Sequence, residues 1–315
     1  SSQLKRSRQK PLPDPGDHDL TARRLPVYAF SFMPREVEGI MTQEEKVLYL
    51  VDGSSYIHRA FHAVRNLSNS RGLPTNAIFG FCRMLLKLIK DKRPSYLAVV
   101  FDAKGPTFRH GLYKDYKATR PPVPEDLVVQ FPYIRAIVEG LGLAMIEKEG
   151  YEADDVIGTL AKIGEQQGYK VMVVTGDKDF RQILSPSITL WDTMKDKLTT
   201  YDSFTEEVGL KPEQMVDVMG LSGDTSDNIP GVHGVGEKTA IELIKQFGTL
   251  EQVLENTPRI KKAKLKENLA KAREEAALSK KLVALDVRVP LDKSLEDLKI
   301  GPSDPAKLGE IFREL

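Results

Sequence analysis

The chain has 315 residues, of which 41% are hydrophobic and 29% charged, proportions that are ordinary for a soluble globular protein. This length supplies one large domain or two modest ones, and the formal net charge of +1 says nothing about partners until charges are mapped along the chain. The single cysteine, Cys82, excludes an internal disulfide and a thiolate zinc cluster. No apolar run is long enough to span a bilayer, so we expect a cytoplasmic protein with no membrane partner.

Residues 1–40 mix charge with proline and show no sustained periodicity, which predicts a disordered extension before a natural start near Met41. From residue 46 the pattern changes. Continuous apolar runs rich in β-branched residues, at 47–52, 96–102 and 169–179, are typical of strands buried on both faces. They predict a mainly parallel sheet.

Helical patterns lie between the predicted strands, at 76–90, at about 125–140 and at 153–167. The alternation of strand and helix predicts an α/β domain over 41–210, with a mainly parallel sheet flanked by helices. After about residue 210 the patterns are helical, so we expect a smaller all-α domain over 211–302.

Acidic residues follow each of the predicted strands. Asp52 and Asp102 end the first two, and Asp177 with Asp179 ends the third. In open parallel sheets the functional crevice lies beyond the carboxyl ends of the strands, so we expect these side chains at one edge. Two more segments bring the total to nine acids: Glu152, Asp154 and Asp155 at a helix start, and Asp224 and Asp227 beside glycines.

Each acidic segment alone also has a structural explanation, since acids complement a helix N-terminus and cap turns. The whole set is harder to explain in this way, because many carboxylates at one edge repel one another unless a cation neutralises them. Ligands made only of oxygen select Mg²⁺ or Mn²⁺ rather than zinc. The sequence therefore predicts a divalent-metal centre, and two ions there would support in-line displacement at a phosphodiester.

The segment 104–120 combines basic and aromatic side chains and carries a single acid, Asp115. This combination suits a platform for single-stranded nucleic acid, with cations for phosphates and rings for base stacking. A solvated loop with its aromatic rings in the core is the alternative. The basic residues are Lys104, Arg109, Lys114, Lys117 and Arg120, and the aromatic ones are Phe108, Tyr113 and Tyr116.

Gly231, Gly234 and Gly236 lead into a helix predicted to begin near Glu237. The spacing matches neither a dinucleotide-binding loop nor a Walker A loop, which argues against a nucleotide-binding enzyme. It predicts a turn whose backbone N–H groups bind the phosphates of duplex DNA without reading bases. The stretch 258–281 holds nine Lys or Arg against three Glu, which fits either a solvated helix face or further phosphate contacts.

Together these residues resemble the 5′-nuclease (flap endonuclease) family, most closely the amino-terminal 5′→3′ exonuclease domains of bacterial DNA polymerase I. The resemblance covers roughly 46–300 and lies in five segments in the family's order. They read LVDGSSYIHRAFHA, VVFDAKGPTFRHGLYKDYKATRPPVPEDL, GYEADDVIGTLA, VVTGDKDFRQIL and GLSGDTSDNIPGVHGVGEKTA.

The resemblance implies roles for individual residues. Arg59 and Lys117 would hold the scissile phosphate, and would be catalytic together with Asp52, Asp102 and Asp177. All nine acids would serve the metals: one ion on Glu152, Asp154, Asp155 and Asp177, a second on Asp179, Asp224 and Asp227, with Asp52 and Asp102 acting largely through water.

The resemblance also implies a DNA partner with 5′ flaps, nicks or RNA primers, cleaved in replication and repair. The 5′ strand would pass through an arch at about 104–125, and a helix–three-turn–helix element would hold duplex DNA and bind K⁺. We expect a monomer at the bacterial nucleoid, with 303–315 opening a linker to a polymerase portion. The DNA-contacting residues would be Arg109, Tyr116, Arg120, Gly231, Gly234, Gly236, Lys238 and Thr239.

Two other functions stay open at this point. A PIN-type ribonuclease shares an acidic sheet edge but has no need of a glycine-rich duplex clamp. A non-catalytic module for branched DNA is disfavoured by the nine acids, because uncompensated acids would weaken DNA binding.

Overall fold

The computed structural model describes residues 46–64 and 67–315, so the extension predicted for 1–40 lies outside the described residues. Three of its strands match the apolar runs of the sequence, and three further strands were not predicted. The strands are β1 (Val47–Asp52), β2 (Tyr96–Val100), β3 (Ala144–Ile146), β4 (Lys170–Val174), β5 (Ile188–Asp192) and β6 (Lys197–Thr199).

The strands form one sheet in the order β3-β2-β1-β4-β5-β6, in which only the β5–β6 pair is antiparallel. Because β1 lies between β2 and β4, the carboxyl ends of these three strands are adjacent. Asp52 is the last residue of β1, and Asp102 and Asp177 follow β2 and β4 closely. The predicted α/β class with a mainly parallel sheet is confirmed.

Helices fill most of the remaining described chain, together with short 3₁₀ segments at Asp179–Ile183, Pro212–Gln214, Thr257–Arg259 and Leu295–Leu298. The helices are α1 (Gly53–Ala63), α2 (Asn76–Lys92), α3 (Phe108–Leu112), α4 (Glu125–Val128), α5 (Phe131–Gly140), α6 (Ala153–Gln166), α7 (Tyr201–Val208), α8 (Met215–Ser222), α9 (Glu237–Phe247), α10 (Leu250–Glu255), α11 (Ala263–Lys271), α12 (Arg273–Val283) and α13 (Pro305–Glu314).

Alternate residues of β1 face two separate apolar clusters, as expected of a central strand. Leu48 and Leu50 belong to the cluster that contains α6, whereas Tyr49 and Val51 belong to the cluster that contains α1, α2 and α5. The first cluster also includes buried residues of α8 to α12, among them Leu282. The helical part after residue 210 therefore shares a core with the sheet.

The predicted helix at 125–140 is interrupted at Gln130, between α4 and α5. The Gln130 side chain is fully buried, and its Oε1 accepts hydrogen bonds from the N–H groups of Ala77 and Ile78, at 2.9 and 3.1 Å. These N–H groups lie in the first turn of α2, where a helix has no partners of its own for them. The interruption thus allows the Gln130 side chain to cap the N-terminus of α2.

Most of the stretch 303–315, expected to open a linker to a polymerase portion, forms α13, which packs on α5. Asp304 caps the helix by accepting a hydrogen bond from the N–H of Lys307 at 3.0 Å. Leu308 lies against Gly140, where a Cβ would stand 2.8 Å from its side chain, and Ile311 packs on the same cluster as α5. The apolar side of this amphipathic helix is therefore covered by the cluster that contains α5.

Within the described ranges, no helix is long and apolar enough to cross a membrane.

Candidate metal centre

Asp52 is buried at the end of β1, with 2% of its surface exposed. Its carboxylate accepts a hydrogen bond from the N–H of Ser55 at 3.0 Å, which caps α1, and another from the Thr175 hydroxyl at 2.8 Å. Burial nevertheless raises the pKa of Asp52 to about 7, because these two bonds do not replace the lost hydration. Thr175, which follows β4, was missed by the sequence argument.

Asp154 lies in the first turn of α6, among the acids of the strand ends. Burial is the main cause that raises its pKa well above the usual value. The neighbouring charges that add to the rise are those of Asp52, Asp177, Asp102 and Glu152. The Asp102 carboxylate also accepts a hydrogen bond from the N–H of Ala153, at 2.9 Å. Strands β1, β2 and β4 and helix α6 therefore bring their acids to one place.

A second group of acids surrounds Asp179. Burial raises the pKa of Asp179 to about 7, and the charges of Asp177 and Asp224 add to the effect. Asp177 shares a turn with Asp179, because its carboxylate accepts a hydrogen bond from the Asp179 N–H at 2.9 Å. Since Asp177 interacts with both Asp154 and Asp179, it joins the two groups.

Basic side chains lie against the outer acids of this centre. The ammonium group of Lys117 is 2.7 Å from Glu152 and 3.6 Å from Asp227, and Arg120 pairs with Asp227. The backbone brings them there, because Lys117 adopts φ 57° and its N–H donates to the Asp227 carbonyl at 2.9 Å. The segment that carries both cations is thus fixed to the loop that carries Asp227.

The prediction that aromatic rings of 104–120 stack on bases is wrong for Tyr116 and Phe108. Tyr116 is only 3% exposed, and its hydroxyl donates to Glu152 and Asp227 at 3.0 and 3.1 Å. Burial raises the pKa of Tyr116, so the hydroxyl keeps the proton that it donates. Phe108 packs against Tyr151, with ring centroids 5.9 Å apart. Both rings anchor the segment to the protein instead of stacking on bases.

Arg109 and Asp155 form a buried ion pair, which corrects two expectations. Their side chains are 3% and 0% exposed, and two parallel hydrogen bonds of 2.7 and 2.8 Å join them. Arg109 also donates to two carbonyls at the end of α12, and Asp155 also accepts from two backbone N–H groups. Arg109 therefore has no surface for DNA, and both oxygens of Asp155 are already used, so neither serves the role predicted for it.

Arg59 lies over the turn that carries Asp177. Its guanidinium pairs with Asp192 at the end of β5, with two contacts of 2.9 and 3.1 Å. A Cβ at Gly176 would overlap the guanidinium, so the missing side chain is what lets Arg59 lie there. The Nη1 group of Arg59 is buried and has no hydrogen-bond partner within the described residues. The sequence argument missed both Asp192 and Gly176. Of the two, only Gly176 could have been found from the sequence, because it lies near the end of a predicted strand.

The glycine-rich loop has a buried part and an exposed part. Gly231 is buried with φ 60°, and its N–H donates to the Ser279 hydroxyl at 2.9 Å. A Cβ there would collide with the main chain of Gly223. Gly231 therefore packs the loop onto α12, and the phosphate contact predicted for it is wrong. Of the other predicted contacts, Gly234, Gly236 and Lys238 are exposed and Thr239 is half-buried.

The chemistry of the acids fits a hard divalent cation. In the part of the chain that the structure describes, no three carboxylate, imidazole or thiol groups already surround one point as ligands of an ion would. The acids are nevertheless close enough to raise one another's pKa values, and a cation relieves this repulsion. All available donors are oxygens, which Mg²⁺ and Mn²⁺ prefer.

A mainly parallel sheet with acids at one edge, followed by a helical part, defines the 5′-nuclease class. Comparison with protein families agrees. The model of a 5′-3′ exonuclease N-terminal, resolvase-like domain matches residues 47–209, and that of a 5′-3′ exonuclease C-terminal SAM fold matches residues 210–306. The chain belongs to the 5′-3′ exonuclease family, as the sequence predicted.

Individual relatives give the extent of the match. DNA polymerase I of Bacillus caldotenax is 46% identical over 276 residues, which are 86% of this chain and 31% of that protein. A 5′-3′ exonuclease of Aquifex aeolicus is 43% identical over 270 residues, 86% of this chain and 92% of that protein. The bacteriophage T5 flap endonuclease, solved with DNA and metal ions, shares the fold with a TM-score of 0.64 at 22% identity, over 77% of this chain and 89% of that one. The chain thus spans about a third of the polymerase relative.

Proposed function

We propose that the chain is a structure-specific 5′→3′ exonuclease and flap endonuclease that hydrolyses phosphodiesters of DNA, and of RNA primers, at 5′ flaps and nicks. The observation that carries the proposal is the convergence of acids from β1, β2, β4 and α6 at one sheet edge. Membership of the 5′-3′ exonuclease family supports the reaction and its direction.

Two divalent ions, Mg²⁺ or Mn²⁺, fit the two groups of acids that meet at Asp177. When bound, such ions lower the pKa of water and offset the negative charge of the phosphate. Asp155 is left out of the proposed ligands because Arg109 occupies it. One ion would lie on Glu152, Asp154 and Asp177, the other on Asp179, Asp224 and Asp227, with Asp52 and Asp102 acting through water.

Lys117 and Arg59 would hold the scissile phosphate. Lys117 already lies between Glu152 and Asp227, with 22% of its side chain exposed. Arg59 lies over the turn before Asp177, and its buried Nη1 has no hydrogen-bond partner within the described residues. Fixed cations of this kind stabilise the charge that develops in the transition state, because they need no reorganisation during the reaction.

The exposed part of the glycine-rich loop would hold duplex DNA by its backbone. Gly234 and Gly236 bring the main chain to the surface before α9, and the N-terminus of a helix favours phosphate. Lys238 and Thr239 would add side-chain contacts, and a K⁺ ion could bind the loop carbonyls. A PIN-type ribonuclease has no need of this loop, so the loop favours DNA junctions as substrate. Arg120, 51% exposed, would contact the 5′ strand in an arch at 104–125.

The polymerase relatives extend well beyond the matched segment, which supports a covalently linked polymerase portion in the full protein. Since these relatives are bacterial, we place the activity at the nucleoid, on primers and flaps left by replication and repair. We further propose that the nuclease portion acts as a monomer.

The substitution Asp177→Ala tests this proposal, because Asp177 joins both groups of acids. It should abolish cleavage of a 5′-flap DNA in Mg²⁺ and leave DNA affinity largely unchanged, since the loop and the basic residues that hold DNA are untouched. Asp202→Ala, at an exposed acid of α7, is the matched control and should cleave normally. A loss of binding as strong as the loss of cleavage would contradict the role of Asp177.

A further inference from the structure

Helix α11 packs directly against the glycine-rich loop. The Asn268 side chain of α11 donates a hydrogen bond to the carbonyl of His233 at 2.7 Å. A Cβ at Gly234 would stand 3.4 Å from the same amide nitrogen. Another side of the helix is held in the core by Leu269, which is fully buried. The position of α11 beside the loop is therefore fixed from two sides.

Two lysines share the helix face of Asn268, because positions four before and three after it are neighbours on an α-helix. They are Lys264 and Lys271, whose side chains are 75% and 73% exposed. The stretch 259–266, which leads into and begins this helix, carries five Lys or Arg and no acid. The surface beside the loop is thus strongly basic.

We propose that this surface, the α11 face, formed by Lys264, Asn268, Lys271 and the stretch 259–266, binds the sugar–phosphate backbone of duplex DNA beyond the part held by the glycine-rich loop. The inference rests on the proposed function, since it extends the duplex-binding surface of the same nuclease. Exposed cations next to a loop that presents its main chain match the charge of a phosphate backbone and read no sequence.

The length of α11 sets the size of this extension. Its nine residues span about 14 Å, at about 1.5 Å per residue. Duplex DNA rises about 3.4 Å per base pair, so the α11 face covers at most about four further base pairs.

Glu267 opposes the cations of the α11 face. It is the single acid in 259–272, and its carboxylate lies 3.4 Å from the ammonium of Lys264 and 2.6 Å from that of Lys271. A phosphate at this surface competes with Glu267 for both lysines. Removal of Glu267 should therefore strengthen DNA binding, whereas removal of the lysines should weaken it.

The test measures Kd by fluorescence anisotropy on labelled flap DNA with duplex arms of increasing length, in EDTA so that no cleavage occurs. Wild-type affinity should rise with arm length and then level off. For the double variant K264Q/K271Q it should level off earlier, by up to about four base pairs, with a slope against log salt smaller by up to about 2. E267Q should bind long arms more tightly than wild type. The control K197Q/K307Q removes two exposed, ion-paired lysines elsewhere and should behave as wild type.

The proposal is overturned if K264Q/K271Q equals the control at every arm length, or if E267Q weakens binding. Circular dichroism checks the fold of each variant, and K264R/K271R must restore long-arm binding if charge is the cause. Failure of the proposed nuclease function would be seen separately, as wild-type protein in Mg²⁺ that cuts no flap substrate of any arm length.

Discussion

At the scale of single residues, Asp154 and Asp155 are adjacent in sequence and have opposite environments. Asp154 faces the other acids of the centre, and burial and their charges raise its pKa. Asp155 points to Arg109 and is fully satisfied by it and by two backbone N–H groups. In the absence of metal, Asp154 therefore destabilises the fold by charge repulsion, whereas Asp155 stabilises it through its ion pair.

The substitutions Asp154→Asn and Asp155→Asn should shift stability in opposite directions. In EDTA at about pH 8, Asp154→Asn should raise the free energy of unfolding because it removes a carboxylate from a group of like charges. Asp155→Asn should lower it by roughly 3–5 kcal/mol, since it leaves the buried Arg109 without its counter-charge. Urea unfolding of both variants beside wild type measures this. Equal destabilisation by both would show that the two carboxylates have the same role.

The sequence could place Asp154 and Asp155 together at a helix start, but it could not tell them apart. The partner of Asp155 lies 46 positions earlier in the chain, and no local pattern announces such a pairing. Arg109 and Tyr116 were misjudged for the same reason, because an Arg or Tyr among exposed basic residues looks solvated until its tertiary partner is known.

At the scale of elements, α1, β4 and β5 meet at Arg59. Helix α1 supplies the arginine, the end of β5 supplies Asp192, and the turn after β4 supplies Gly176, which leaves room for the guanidinium. The sequence predicted β4 from its apolar run. It did not predict β5, whose partners in the sheet, β4 and β6, are known only after folding.

Gly176→Ala should lower the rate of flap cleavage as much as Arg59→Ala, because the added Cβ takes the place of the guanidinium. The double variant should be no slower than Arg59→Ala alone, since both changes remove one interaction. Single-turnover cleavage rates in Mg²⁺ measure this, with Gly309→Ala on α13 as the control, where the nearest atom to an added Cβ is 3.8 Å away. Additive effects of the two substitutions would contradict the coupling.

At the scale of the whole molecule, the acidic centre should make stability depend on pH and on divalent metal. The pKa values of Asp52 and Asp179 are raised to about 7, and that of Asp154 is raised as well. Between about pH 4 and 7 the unfolded chain loses protons that the folded chain retains, so the free energy of unfolding contributed by these groups falls as pH rises through this window. For Asp52 and Asp179 this loss is nearly complete by about pH 8.

Without metal, Tm should therefore be higher near pH 5 than near pH 8, and Mg²⁺ should raise Tm much more near pH 8, where the acids are ionised and bind it. Differential scanning calorimetry in EDTA and in Mg²⁺ checks both statements. Asp154→Asn is the control and should reduce the gain from Mg²⁺ near pH 8. A gain from Mg²⁺ that is the same at both pH values would contradict the account.

The parallel sheet and its acidic edge could be predicted from the sequence. Buried parallel strands appear there as continuous apolar runs, and acids follow these runs. The packing of 303–315 as helix α13 was not predicted, since its apolar face has a partner only once α5 is folded beside it. The break at Gln130 was also hidden, because the N–H groups that it caps lie in a different helix.

The most direct test of the central claim is the cleavage of a 5′-labelled flap duplex, compared with blunt duplex and single-stranded controls, in Mg²⁺ and in EDTA. We expect cleavage near the junction of the flap with the duplex, in Mg²⁺ alone, and little cleavage of either control. Binding of the flap without cleavage in Mg²⁺ would contradict the claim, because the acids at the sheet edge would then serve no catalytic metal.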